Sequence, residues 1–491
     1  MTFILQFLPE LVLLAGALGL FAVSLGEDCA RLARRVALGV ALAAFAASAL
    51  SLGRQAGLFS GAYRVDAFSQ LLKLLLTFGY AALVLLSGDL PDIRGEVKAE
   101  YHLFLTLSVT GLVMLVSCVD VISLVVALEL SSFPLYLMVP MRRERAGQRT
   151  QMESAIKYVM FGVAANGIML FGLSYLYGLT GTLHLPAMLA ILPPVVHSPL
   201  AIAGLGLTFC GLYYKLAVFP FHFWTPDVYQ GASNETAALI ASLPKLGAVA
   251  VLVRFVALAT PDNHTVALLL TGLAAASMCY GNLIALVQKD FKRLLGFSGI
   301  AHAGYALMGF VALDTAGFTA ALYYLAGYLL MILACFVVIT HVSRDGANVS
   351  IAELAGLHRR SPLLAVTLLV ALFALAGVPP FVGFMAKLSL LTAAFARGHL
   401  ALVLIAVINS AVAIYYYLQV IRTAVFGDAP PAAGAGRLRL GWPTKVLCLV
   451  LIGGIIYLGV APAATLDALS SSLAAVVSGH APAGLALLTG R

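Results

Sequence analysis

The sequence predicts an all-α polytopic membrane protein with about 14 transmembrane helices and two inverted five-helix repeats, each with a discontinuous helix. Three observations carry this reading. Hydrophobic residues fill 62% of 491 positions and charged residues 10%, whereas a soluble domain has about 45–50% and 25%. The mean hydropathy is +1.01. The apolar residues fall in long runs, and Lys and Arg gather in alternate loops. Together these exclude a soluble enzyme, a disordered chain and a nucleic-acid binder. The net charge of +8 then reflects loop asymmetry rather than an acidic partner.

The runs cover roughly 3–25, 34–52, 69–88, 101–118, 120–140, 154–178, 199–221, 236–259, 264–287, 294–313, 316–342, 362–396, 399–425 and 441–462. The first is too long, and too weakly basic upstream, for a signal peptide, so it reads as a retained span. The run 362–396 is broken at Gly377-Val378-Pro379-Pro380 and counts as one discontinuous span. The tail after Ala463 is mixed in character and is expected along the surface. One set of loops holds 18 Lys and Arg, among them Arg142, Arg143, Lys292 and Arg437; the other holds 4, Arg54, Arg64, Arg397 and Arg491. The basic loops should be cytoplasmic, which puts both termini outside. Lys98, Arg142, Arg143 and the other loop cations read as solvated orientation signals.

Ala217-Val218-Phe219-Pro220-Phe221 and Gly377-Val378-Pro379-Pro380-Phe381 interrupt two runs about 160 residues apart. The fourth to eighth spans pair with the ninth to thirteenth at a similar offset. Five is an odd number, so the copies must have opposite topology, the pattern of an ion or substrate path at a repeat interface. The expected units are residues 1–100 (spans one to three), 101–259 (first repeat), 260–425 (second repeat) and 426–491 (last span and tail).

Ionisable groups inside spans are costly in hydrocarbon and must face protein or water. Glu129 is mid-span, with Ser132 and Tyr136 on its helical face. Lys215 precedes Pro220 of the first break by five residues. Lys245 follows Pro244, which frees the carbonyl of Ile240 as a polar neighbour. His302 shares a face with Ser298 and Tyr305, and Lys387 lies beyond the second break. Burial disfavours a lysine's charge and a carboxylate's alike, and pairing opposes both effects. A buried lysine beside a movable glutamate is therefore a proton switch. Three amines cannot all pair with one acid, which argues against static ion pairs alone. Lys157 and His222 are secondary candidates: Lys157 starts a span, and His222 sits at the first break. Glu10 and Lys73 read as structural groups near the interface.

The six cysteines are scattered singly, with no spacing for zinc or an iron–sulfur cluster. The ten histidines include no pair suited to haem ligation. There is no Walker A loop, and Gly204-x-Gly206 lies within an apolar span. No redox cofactor or nucleotide engine is visible, so the driving force must be an ion gradient or a partner.

Four stretches carry a family resemblance: ESAIKYVMFGVAANGIMLFGLSYLYGLTGTL (153–183), YYKLAVFPFHFWTPDVYQGA (213–232), QKDFKRLLGFSGIAHAGYALMGF (288–310) and ALAGVPPFVGFMAKLSLL (374–391). The chain resembles the antiporter-like, proton-conducting membrane subunits of NADH–quinone oxidoreductase (respiratory complex I). Thr225-Pro226-Asp227-Val228-Tyr229 and Lys157-Tyr158 favour its subunit N group. The resemblance spans about residues 70–425 and departs from the family at Ser233, often proline, and Ala386, often glycine.

The resemblance implies 14 spans and a proton path through Glu129, Lys215, Lys245, His302 and Lys387. It implies a translocase subunit with no redox centre or metal of its own. NADH, FMN, iron–sulfur clusters and quinone would be held by partner subunits, next to this chain in the membrane arm and among membrane lipids. The location would be a bacterial plasma (inner) membrane, with both termini periplasmic. The alternatives are a subunit of a monovalent cation/proton antiporter or a membrane-bound hydrogenase, and a purely structural module.

Overall fold

The computed structural model describes residues 2–27, 29–145, 149–256, 264–427 and 438–477. Arg437 and Arg491 of the charge count, residues 257–259 of the eighth run and the 259/260 boundary lie outside the described residues, as do positions 478–491 of the tail.

The chain begins with α1 (Thr2–Gln6), α2 (Leu8–Ser24) and α3 (Ala30–Ser51). An antiparallel hairpin follows, β1 (Ala56–Leu58) and β2 (Tyr63–Val65), with Ala56 opposite Val65. This hairpin departs from the all-helical expectation, because three-residue strands are too short to register as a sequence period. Asp66 caps α4 (Ala67–Ser87) by accepting from the Ser69 N–H at 2.8 Å. Next come α5 (Lys98–Leu115), α6 (Val121–Met138), α7 (Thr150–Thr180) and the short α8 (Leu185–Ile191). Asp120 caps α6 in the same way as Asp66 caps α4.

The first interruption separates α9 (Pro199–Leu216) from α10 (Trp224–Gly231). Ala217 ends α9 in a left-handed conformation, φ 64°. After α11 (Asn234–Val256), α12 (His264–Ala285), α13 (Phe291–Val311), α14 (Thr315–Val342) and α15 (Leu357–Arg360), the second interruption separates α16 (Pro362–Ala376) from α17 (Val382–Ala396). Gly377 ends α16 at φ 87°, a value glycine adopts without strain. Both breaks hold a cis X–Pro bond, Phe219–Pro220 and Pro379–Pro380. The chain continues with α18 (Leu400–Phe426), α19 (Trp442–Val460) and α20 (Pro462–Val477).

Among the described residues, eleven helices are long and apolar enough to cross a membrane, and α2, α16 and α17 are shorter apolar helices. Helices close their own backbone hydrogen bonds, which hydrocarbon demands. α11, α13 and α14 are buried along their central stretches, while α3, α12, α18 and α19 expose apolar outer faces. This core positions the site. Up to Val477 the tail forms α20, which packs one face on α14 and α4, burying Leu469 and Leu473, and leaves the opposite face exposed. Its apolar residues Leu466, Leu469, Leu473 and Val476 recur every three or four positions, so they share one face.

Three loop cations are not solvated signals. Arg360 is 8% exposed and donates to the Glu353 carbonyl at 3.0 Å. Arg142 is 6% exposed, paired with the fully buried carboxylate of Asp92, and donates to the Gln230 carbonyl at 2.8 Å. Lys292 is fully buried and donates to the Ala232 carbonyl at 2.8 Å. All three positions lie at run ends in sequence, where burial and exposure read alike.

Candidate functional site

Lys215 stands in the last turn of α9 and points at α6. Its ammonium donates to the hydroxyls of Ser132 at 2.5 Å and Ser131 at 3.0 Å, and to the Leu128 carbonyl at 3.4 Å. Pro134 interrupts α6 just beyond these serines. Among the described residues, no ion pair joins Lys215 to Glu129. The half-buried Glu129 instead accepts a hydrogen bond from Asn166 of α7. The acid and the amine share one helix face region without touching.

Lys245 lies mid-way along α11 and is 1% exposed. Its partner is the Gly299 carbonyl on α13, at 3.0 Å, rather than the Ile240 carbonyl freed by Pro244. The same ammonium is 4.9 Å from the centroid of the Tyr328 ring and 3.5 Å from its hydroxyl, within cation–π range. One turn along α13, the His302 ring lies 5.1 Å from the Tyr328 ring. Its Nδ1 is 2.5 Å from the Tyr324 hydroxyl and its Nε2 3.0 Å from the Tyr417 hydroxyl. Both ring nitrogens are thus satisfied by groups that can donate or accept.

Lys387 reaches back across the second break. It donates to the carbonyls of Leu375 and Ala376, each at 3.1 Å. These carbonyls end α16 and lack helical partners, so a cation there also meets the negative end of the helix dipole. Its ammonium lies 4.8 Å from the centroid of the Tyr305 ring, whose hydroxyl is 2.9 Å from that of Ser410. Aromatic rings therefore join the second half of the row: Lys245, Tyr328, His302, then Tyr324 and Tyr417, with Tyr305 and Lys387 beyond. Tyr305 and Tyr324 are 6.2 Å apart by ring centroid.

The secondary candidates fare differently. Ser298 donates to the Leu295 carbonyl of its own helix at 3.1 Å. Lys157 is over a third exposed and pairs with Glu153 at 2.6 Å and Asp227 at 2.7 Å; Asp227 also pairs with Arg293 at 2.7 Å. His222 is buried, with no hydrogen-bond partner on either ring nitrogen, and packs 4.3 Å from the Tyr280 ring. Glu10 and Lys73 form a buried ion pair at 2.6 Å, with the Tyr63 hydroxyl 2.5 Å from Glu10.

Sequence reading missed Asn166, Ser131 and the tyrosines 324, 328 and 417. The signal was present in Leu322-Tyr323-Tyr324 and Tyr415-Tyr416-Tyr417, since repeated hydroxyls inside apolar spans need polar partners. Arg254, at the end of α11, was also missed; it is buried, donates to the Val116 carbonyl at 3.0 Å and lies 3.6 Å from Asp66. Among the described residues, no group of three or more His, Cys, Asp or Glu stands close enough to hold a metal ion.

This arrangement brings amines, an imidazole and hydroxyls, all groups that exchange protons, together in a buried core. The model of one family, described as NADH:quinone oxidoreductase/Mrp antiporter, TM, matches residues 118–413. The chain is 67% identical over 478 residues to NADH-quinone oxidoreductase subunit N 2 of Opitutus terrae, covering 97% of this chain and 99% of that one. It belongs to the subunit N family of NADH-quinone oxidoreductases. A second subunit N 2, from Syntrophobacter fumaroxidans, is 41% identical, with 93% and 96% covered.

Among solved structures, a chain of respiratory complex I from Thermus thermophilus with bound aureothin superposes with a TM-score of 0.81 at 31% identity, over 94% of this chain and 100% of that one. A chain of the Mrp complex from Dietzia sp. shares the fold, with a TM-score of 0.84 at 22% identity and 96% and 98% covered. The fold of the subunit N family is thus the polytopic helical one that the composition predicted. Of the two departures from the family motif, Ser233 caps α11, its hydroxyl accepting from the Thr236 N–H at 3.2 Å. Ala386 is fully buried next to Lys387.

Proposed function

We propose that this chain is a proton-translocating membrane-arm subunit of a NADH–quinone oxidoreductase. The observation that carries the reading is the buried row from Lys245 through Tyr328 and His302 towards Lys387, with Lys215 at the other interruption and Glu129 on the facing helix α6. Quinone reduction in partner subunits would drive a change at Glu129 and Lys215. In the present geometry Glu129 is held by Asn166 and Lys215 by serines. Closing the acid on the amine favours the ammonium, and opening it lets desolvation favour the amine. The proton then passes by Lys245 and His302 to Lys387, with hydroxyls and water between. Moving one charge against 100 mV costs about 2.3 kcal/mol, which such pairing can supply.

The same proposal holds 14 crossings, inverted repeats over 101–259 and 260–425, basic loops on the cytoplasmic side and both termini outside, in a bacterial inner membrane. The two interruptions, each ending its helix in a left-handed residue, support the repeats. NADH, flavin, iron–sulfur clusters and quinone belong to partner subunits of the membrane and peripheral arms.

The test is Lys215→Ala in the assembled complex. It should keep quinone reductase activity with an artificial acceptor and lose proton pumping. Full coupled pumping by this variant sinks the proposal. Monovalent-cation transport by the chain in vesicles without NADH would favour the antiporter instead.

A further inference from the structure

The proposed row begins deep inside the protein, and the motif ending in Tyr229 has no part in it. Tyr229 lies on α10 and is fully buried, yet its hydroxyl has no hydrogen-bond partner. A buried hydroxyl left unpaired is costly, so its position calls for a reason. The ring lies against α13, where Lys292, Gly296 and Gly299 share one face at i, i+4 and i+7. A Cβ on Gly296 would meet the Tyr229 ring at 3.6 Å. A Cβ on Gly299 would meet the Lys245 ammonium at 3.1 Å and the Tyr229 hydroxyl at 3.9 Å. The unpaired hydroxyl and the amine therefore border the same small space, the one left by the missing side chain of Gly299.

One turn along from Tyr229, the chain reaches the basic end of the molecule. Lys292 holds the Ala232 carbonyl there at 2.8 Å and so fixes the end of α10. Glu235 opens α11 beside it, 3% exposed, with its Oε2 unpartnered, and Asn234 Oδ1 is unpartnered next to it. Glu235 lies within electrostatic range of Lys98. Lys98 lines an open cavity of about 300 Å³, together with Arg34, Asp89 and His102. Glu235 is thus near one residue of the cavity's lining, Lys98, and lies ten residues and about 15 Å along α11 from Lys245.

We propose that Glu235 and Tyr229 form the inlet that delivers protons from the basic, cytoplasmic surface to Lys245. This inference rests on the proton-translocating reading above. The Glu235 carboxylate takes a proton from cavity water. Its acid form releases that proton along bridging water to the Tyr229 hydroxyl. The hydroxyl accepts it on a lone pair while donating its own proton to the Lys245 amine, which becomes the ammonium. No electron moves, and Tyr229 ends as it began. Lys292 is a positioning residue, since it holds the end of α10 that carries Tyr229.

The test uses the full complex in inside-out membrane vesicles, with NADH oxidation and the quenching of a pH-sensitive acridine dye read together. Tyr229→Phe removes one oxygen and keeps the ring; Glu235→Gln keeps the shape and removes the titratable group. Each should retain NADH oxidation and lose dye quenching as far as Lys245→Ala does, and Glu235→Asp should restore it. If both variants quench like the native complex while Lys245→Ala does not, the inlet is overturned and the proposed function stands. If Lys245→Ala also quenches fully, the proposed function falls with it.

Discussion

Lys215 donates to the Ser132 hydroxyl at 2.5 Å, and Ser132 in turn donates to the Leu128 carbonyl at 2.6 Å. The hydroxyl both accepts and donates, so it holds the ammonium without a counter-charge. A hydrogen bond to a charged group contributes about 1.5–3 kcal/mol, or about ten- to a hundredfold in the population it supports. Ser132→Ala should therefore cut proton pumping while leaving NADH oxidation with an artificial acceptor intact. Ser131→Ala, which removes the longer 3.0 Å contact, should have the smaller effect. Dye quenching in vesicles of the two variants, side by side, checks the order.

Gly299 offers a substitution whose effects on stability and on function have opposite signs. Alanine inside a helix is more favourable than glycine by about 0.5–1 kcal/mol. The added Cβ, however, would meet the Lys245 ammonium at 3.1 Å and the Tyr328 hydroxyl at 3.2 Å. Gly299→Ala should assemble in native amounts and pump less. Complex abundance on a native gel and pumping per NADH measure the two arms. Reduced abundance with a native pumping ratio would contradict the argument.

His302 separates two tyrosines by chemistry. Tyr324 lies 2.5 Å from Nδ1 and Tyr417 3.0 Å from Nε2. Either phenylalanine leaves one buried ring nitrogen unpaired, at about 1–3 kcal/mol. Tyr324→Phe removes the shorter bond, and Tyr324 is the nearer link to Tyr305 and Lys387. It should reduce pumping more than Tyr417→Phe, at equal assembly.

Much of this was legible in sequence, for a physical reason. A charge in an apolar run is rare and costly, so Glu129, Lys215, Lys245, His302 and Lys387 stood out without a structure. Their partners did not, because Asn166, Ser131 and the tyrosines are common in helices and acquire meaning only across helix contacts. The contact between Lys245 and Gly299 joins residues 54 apart, and no local pattern encodes it. The pairing of Glu129 with Asn166 rather than Lys215 is likewise a matter of rotamers on packed faces. Arg142 shows the converse. It reads as a loop charge, yet it ties its own loop to two others and to the end of α10 through Asp92, Asn348 and Gln230.

That clasp should behave unlike the row. Removing one partner of a buried ion pair costs about 3–5 kcal/mol, because the other charge stays buried. Asp92 pairs with both Arg142 and Arg145. Asp92→Ala should lower the amount of assembled complex, with pumping per NADH unchanged in what remains. Arg142→Lys should do the same in part, since an ammonium cannot reproduce the guanidinium fork.

Glu10 and Lys73 form the most enclosed ion pair among the described residues, 0% and 1% exposed, joined at 2.6 Å outside the row. If its purpose is packing, the pair and its single parts must differ. Glu10→Leu alone strands the ammonium and Lys73→Leu alone strands the carboxylate, each at about 3–5 kcal/mol. Changing both to leucine removes the desolvation cost along with the attraction, and such exchanges are neutral or stabilising in many proteins. Tyr63 then loses its acceptor, which costs about 1–3 kcal/mol of that gain. The double variant should accordingly assemble better than either single one, with native pumping per NADH. A double variant that assembles fully but fails to pump would show instead that the pair takes part in transfer.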